Sequence, residues 1–228
     1  SRMLKTWFAL FFLVVSIVCL PASAQGKDQT HSKFEGFYTN LGLGYRNINT
    51  STSSVLKLNG TVIPSSVSSS GPSQYLAVLT TGYNFHITQN YFLAIGANIS
   101  PANGLTQELQ IQALNKTLTV SGIKALYNYG FFLSPGIETE DGLLYLKAGK
   151  QTQVVNSNSG SNFNGYLLGL GYKQFIYDSI YAFGEIDYSS YGSQTIAKSI
   201  VSSGLTLNAS VTTTPQTSRF LIGLGYQF

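Results

Sequence analysis

From Gly36 onward, apolar and polar residues alternate with a period of two, and the alternation is clearest in Phe220-Leu221-Ile222-Gly223-Leu224-Gly225-Tyr226-Gln227-Phe228. Successive side chains of a strand point to opposite faces. Phe220, Ile222, Leu224, Tyr226 and Phe228 therefore share one face, and Leu221, Gly223, Gly225 and Gln227 share the other, with Arg219 next in line. One face is large and apolar, the other mostly small or polar. A water-soluble sandwich would bury the apolar face in a core, whereas a transmembrane barrel gives it to lipid and lines its lumen with small and polar groups. The pattern recurs in Leu41-Gly42-Leu43-Gly44-Tyr45 and in Leu168-Gly169-Leu170-Gly171-Tyr172. Its copies are irregularly spaced, which fits repeated strands better than a solenoid of fixed period.

Read this way, the chain predicts eight strands, at 36–48, 74–85, 91–100, about 122–137, 143–155, 164–175, 180–191 and 216–228. Their outward sets include Leu41, Leu43 and Tyr45; Tyr75, Leu79 and Tyr83; Leu93, Ile95 and Ile99; Tyr127, Tyr129 and Phe131; Leu144 and Leu146; and Leu168 and Leu170. In the seventh strand, Ala182, Gly184, Ile186 and Tyr188 must face lipid so that Glu185 and Asp187 stay out of it, because an acidic side chain in the bilayer interior is costly. The connections alternate long and short. Long ones cover 49–73, 101–121 and 192–215, and short ones fall at 86–90, 138–142 and 177–179. Transmembrane barrels have short periplasmic turns and long outer loops in this manner. Inside the first long connection, Asn59-Gly60 lies between alternating arms, which is a strong hairpin signal. The fold class predicted is therefore all-β, an eight-stranded antiparallel up-and-down transmembrane barrel.

Composition and charge agree with an exported protein. Arg2 and Lys5 precede an apolar run from Trp7 to Leu20, followed by Pro21 and Ala22-Ser23-Ala24. The run is too short to cross a bilayer as a helix, which takes about 20 residues, and it reads as a secretory signal peptide cleaved after Ala24. The expected organisation is residues 1–24 as signal peptide, 25–35 as a loosely ordered periplasmic tail, and 36–228 as the barrel domain. Cys19, Met3 and Trp7 leave with the signal, so disulfides and cysteine-bound metals are not expected. The chain carries a formal charge of +4. Loss of Arg2 and Lys5 leaves a small positive balance, weak grounds for a nucleic-acid partner.

At this point the sequence resembles the small eight-stranded outer-membrane barrels of Gram-negative bacteria, the OmpX-like, opacity-type and OmpA-barrel group. The resemblance spans 36–228. It rests on Gly36-Phe37-Tyr38-Thr39-Asn40-Leu41-Gly42-Leu43-Gly44-Tyr45, on Gly82-Tyr83-Asn84-Phe85 before a short turn, and on Gly223, Tyr226 and Phe228 at the end. Those last three residues look like the signal read by the barrel assembly machinery in this family, although Leu221 stands where a polar residue is usual. The resemblance implies a place in the cell outer membrane with both termini periplasmic. Its implied partners are outer-membrane lipid, lipopolysaccharide and the assembly machinery, with host or surface ligands at the outer loops.

Candidate chemistry lies mainly on the inward parity, which collects Arg46, Lys124, Lys147, Lys173 and Arg219 against Glu185 and Asp187. Unpaired charge in a dry lumen is costly. Lys173 and Arg219, on the strands flanking the seventh, are the expected partners of the two carboxylates. An eight-stranded barrel is just wide enough inside for side chains to fill it, which favours a structural network over an ion path. The outward tyrosines read as interfacial girdles. His31 falls in the tail and His86 in a periplasmic turn, both far from the outer rim where lipid-modifying barrel enzymes work, so no enzyme activity, cofactor or metal is expected. Function is left to the outer loops, whose alternation suggests protruding strands able to bind partners by strand addition. A surface-exposed barrel with an adhesive or structural role is the leading expectation. The alternative is a narrow, weakly anion-preferring pore for small solutes.

Overall fold

The computed structural model describes residues 32–63, 66–69, 73–101, 109–113, 116–120, 124–156, 162–202 and 204–228. The signal-peptide reading and His31 lie outside them. Among the described residues thirteen strands occur in chain order: β1 (Gly36–Leu58), β2 (Thr61–Ile63), β3 (Ser66–Ser69), β4 (Gln74–Thr88), β5 (Tyr91–Pro101), β6 (Leu109–Ala113), β7 (Lys116–Val120), β8 (Lys124–Glu138), β9 (Gly142–Asn156), β10 (Phe163–Tyr177), β11 (Ile180–Tyr191), β12 (Gln194–Ser202) and β13 (Leu205–Gln227). Eight of them, β1-β4-β5-β8-β9-β10-β11-β13, pair antiparallel in that order, and β13 returns to β1. Closure leaves no free edge in the barrel, so apart from bulges at Ile87, Leu126 and Ile176 its strand ladders pair without help from water.

The stagger of the barrel can be read from its pairing. The row from Thr39 passes Thr81, Ala97, Phe131, Lys150, Tyr166, Ser190 and Gln216, and meets β1 again at Asn49, ten residues further along. With strands about 4.8 Å apart rising about 3.3 Å per residue, that stagger tilts them by about 40°. Each step to the next strand then climbs about 3 Å along the barrel axis, and each residue along a strand about 2.5 Å.

The alternating pattern sorts as the sequence predicts. Leu41, Leu43, Ile95, Phe131, Leu146, Leu168, Ile186, Ile222 and Leu224 stand on the outside, while Tyr38, Val78, Phe132, Leu167, Tyr181 and Leu221 are buried. Aromatic residues edge the outer band. Phe37 and Tyr83 meet edge-on near one rim, and Tyr45 and Tyr75 near the other. β8 carries a bulge between Ala125 and Tyr127, which breaks its alternation there.

The long connections differ from simple loops. β1 does not stop at Ile48 but continues to Leu58, and β13 begins at Leu205 rather than Gln216, with the two paired up to Leu58 and Leu207. Beyond Arg46 and Gln74, where β4 leaves β1, this ribbon projects past the barrel, with β12 along one edge and β2 on the other. Ser- and Thr-rich sequence hides the extension, because alternation between two polar faces carries little signal. Asn59 and Gly60 both adopt positive φ, 46° and 85°, as a type I′ hairpin turn requires. The turn is tied to β13 by the Asn59 and Thr206 main chains and by the Asn59 Oδ1 acceptor, 3.0 Å from Thr206 N. β3, β6 and β7 form a separate three-stranded sheet. At the opposite end the turns are tight, at Gln89-Asn90, 139–141 and Asp178-Ser179.

Candidate functional site in the barrel lumen

Moving from the short-turn end inward, the lumen holds three tiers. The first is an apolar plug of Phe34, Phe92 and Leu143, with Phe175 packed against it. Phe34 lies in the stretch whose polar sequence predicts a loose tail, yet it is 1% exposed and its ring centroid is 4.5 Å from that of Phe175. Residues 32–35 instead fold across the barrel end. Asn84 Nδ2 donates to Phe34 O at 2.8 Å, Ser32 Oγ to Glu138 Oε1 at 2.7 Å, and Gln227 Nε2 to Glu35 O at 3.2 Å. A single phenylalanine in a polar segment has no periodicity to reveal it; only the closed end of the barrel makes a place for it.

The middle tier is a polar network centred on Glu185. Glu185 accepts from Lys147 Nζ at 2.7 and 2.8 Å and from Tyr145 Oη at 2.6 Å. Lys173 does not pair with Glu185, which corrects the sequence expectation. Its Nζ lies 3.5 Å from the centre of the Tyr38 ring, 5.0 Å from Tyr181 and 5.3 Å from Tyr145, where ring quadrupoles attract a desolvated cation. Asn40 Nδ2 donates to Tyr181 Oη at 3.1 Å.

Glu185 reaches past the adjacent strand for a steric reason. Between β9 and β11, β10 presents Gly169 opposite Lys147 and Asp187, and Gly171 opposite Tyr145 and Glu185. A Cβ on Gly171 would overlap the Tyr145 ring, and one on Gly169 would meet Asp187 Oδ1. Without side chains there, residues two strands apart touch directly over the β10 backbone. A cavity of about 10 Å3 remains beside Tyr38, Asn40, Lys147, Lys173 and Glu185, room for roughly one water.

The upper tier contains Arg46, Arg219, Asn128, Gln151 and Tyr191, with Asp187 and Asn98 lower, between it and the Glu185 network, all buried. Arg219 Nη2 donates to Asp187 Oδ2 at 2.8 Å, as the sequence predicts, and Arg46 Nη2 donates to Gln74 Oε1 at 3.1 Å. By the stagger above, Arg46, Arg219, Asn128 and Gln151 sit within roughly 4 Å of one height, roughly 10 Å above Glu185 and Lys147.

Of the inward charges expected from sequence, Arg46, Lys147, Lys173, Glu185, Asp187 and Arg219 are all in the lumen. Lys124 opens β8, and its side chain lies outside the described residues. Sequence reasoning overlooked Tyr38, Tyr145 and Tyr181 as members of the network, although their inward parity and the facing glycines were legible. At the seam, Tyr226 and Phe228 meet edge-on at 4.9 Å on the outer face. At the short-turn end, the His86 ring stacks on Phe92 at 5.0 Å and its Nδ1 lies 4.0 Å from Glu35.

A closed eight-stranded antiparallel barrel with a lipid-type exterior and a lumen filled by side chains defines the class of small outer-membrane β-barrels. No protein-family model and no curated protein sequence matches the chain. Among solved structures, the chain is similar to the outer membrane protein OprG from Pseudomonas aeruginosa, with 17% identity over 85% of this chain and 96% of that one, at a TM-score of 0.55. It also aligns with the outer membrane protease OmpT from Escherichia coli, at 10% identity over 90% and 99% of the two chains, TM-score 0.46. Neisserial surface protein A aligns at 11% identity over 85% and 98%, TM-score 0.45. At such identities the likeness to OprG establishes the fold.

Proposed function

We propose that this protein is an outer-membrane barrel whose lumen is a structural plug and whose work is done by the sheet projecting beyond the membrane, as an adhesive or scaffolding surface. The observation that carries this reading is the β1–β13 ribbon, paired without a break from Tyr38 and Gln227 to Leu58 and Leu207, with β12 alongside. In this orientation the tight turns are periplasmic and the ribbon is extracellular, in keeping with the short-turn, long-loop asymmetry of such barrels. A paired, polar, Ser- and Thr-rich sheet offers hydrogen-bonding groups to a partner, and its outer strand edge suits strand addition.

The narrow-pore reading has less support. Phe34, Phe92 and Leu143 fill the periplasmic end, and the Glu185 network fills the middle. A non-enzymatic role fits the placement of His86 beside the periplasmic turn, away from the outer rim. We also propose that Gly223, Tyr226 and Phe228 serve as the assembly signal, with Tyr226 and Phe228 on the lipid-facing side of the closing strand.

Two measurements test the proposal. Purified protein in planar bilayers should give no steady conductance; stable open channels would overturn the plugged lumen. Replacing 50–62 and 194–213 by short turns should leave a folded, heat-modifiable barrel that no longer supports attachment of cells displaying it to host or abiotic surfaces. Unchanged attachment would remove the adhesive role.

A further inference from the structure

Arg46 and Arg219 are direct partners across the β1–β13 seam, both facing the lumen and only 2% and 3% exposed. Like charges placed opposite one another on neighbouring strands repel. The one carboxylate among the described residues that answers them is Asp187, which engages Arg219. Arg46 has Gln74 as its hydrogen-bond acceptor and no ion-pair partner among the described residues. The tier therefore carries two guanidinium charges against one carboxylate. The other uncompensated lumen cation, Lys173, differs in resting on aromatic rings.

The donor inventory points the same way. Arg46 Nε and Arg219 Nε and Nη1 are buried without an acceptor among the described residues, as is Gln151 Nε2. Gln151 is at the same height on β9, on the wall opposite Arg46, four strands from β1 in either direction, with its amide lying over Gly130 of β8. A buried donor left unmade is costly, more so when charged, and guanidinium groups are suited to anions. We infer that a small monovalent anion binds in the upper lumen between Arg46 and Arg219. One negative charge balances the tier. A group that only accepts hydrogen bonds meets the three unmatched guanidinium donors, while Asp187 Oδ1, Asn128 Oδ1 and Gln151 Oε1 remain as unmatched acceptors around it among the described residues, and an eight-stranded interior admits only a small ion. Water could accept the same hydrogen bonds and leave the charge unbalanced. The site stands whether or not the outer sheet is adhesive.

The test uses the full barrel folded in uncharged detergent micelles, with chloride as probe. Chloride-35 NMR should show excess line broadening that saturates with chloride and is displaced by nitrate. Arg46→Gln should weaken binding roughly tenfold or more, the loss expected for one charged hydrogen bond, while Lys173→Gln, in the middle tier, should leave it within about twofold. Heat-modifiable mobility on gels confirms that each variant is folded. No saturable broadening, or equal broadening in folded Arg46→Gln, overturns the site. Should Arg46→Gln fail to fold, bromide soaked into crystals of the unaltered protein decides. An anomalous peak between the two guanidinium groups supports the site, and water density there without a peak refutes it.

Discussion

In the half of the lumen nearest the short turns, the Glu185 carboxylate is met by Lys147 and Tyr145, Lys173 lies on aromatic rings, and Phe34 seals the end. Roughly 10 Å higher on the same barrel axis, Arg46, Arg219, Asn128 and Gln151 each keep at least one buried polar atom without a partner among the described residues. The strands and the alternation are the same in both halves. What differs is the residue set between the charged groups. Glycines on β10 let partners two strands apart touch in the lower half, whereas the upper half brings two arginines together at the seam with one carboxylate. Buried polar groups stabilise when fully satisfied and are costly when partly so. The lower half therefore acts as a closure, and the upper half keeps the unmatched donors on which the proposed anion site rests.

The largest effect should come from breaking the lower network. Glu185→Ala leaves Lys147 buried without its carboxylate, and removal of one member of a buried ion pair typically costs about 3 to 5 kcal/mol. Urea unfolding of the barrel in lipid vesicles, followed by heat-modifiable mobility, measures it. A loss below about 1 kcal/mol would mean that this half is not closed as described. Phe34→Ala should cost about 3 kcal/mol by opening a cavity at the plug, read by the same unfolding curve. Steady single-channel currents in this variant alone would show that the plug is the barrier.

Gly171→Ala sharpens the comparison, because it adds a methyl group where β9 and β11 side chains meet over β10. A cost of about 1 to 3 kcal/mol is expected for overpacking, with the circular dichroism of the barrel unchanged. A neutral result would show that Tyr145 can swing aside without penalty. The smallest effect is expected at Asn98, just above the lower network. Both amide atoms of Asn98 are unpartnered among the described residues, so Asn98→Leu should range from neutral to about 1 kcal/mol more stable. A clear destabilisation in the unfolding midpoint would show that Asn98 is engaged there after all.

Much of the architecture is written locally. The period-two pattern set the inward and outward faces of the barrel strands outside the bulge in β8, and the cost of acid in lipid was enough to orient Glu185 and Asp187. Asn59-Gly60 marked its hairpin turn for a reason internal to two residues, the ease of positive φ. These features survive because side-chain alternation and turn chemistry depend on nearest neighbours along the chain. The projecting ribbon was only half legible, since its strands alternate between two polar faces and neither face has a hydrophobic signature.

Tertiary structure decided the rest. The ten-residue stagger exists only once β13 closes on β1, and it sets which inward groups share a height. That is why Asp187 keeps its adjacent partner Arg219 while Glu185 passes over Gly171 to Lys147, and why Lys173 is left to the rings of Tyr38, Tyr145 and Tyr181. Sequence determined that charges would line this lumen. Their partners depended on the closed barrel, because a buried charge chooses by distance across the interior, and that distance is not a property of any one strand.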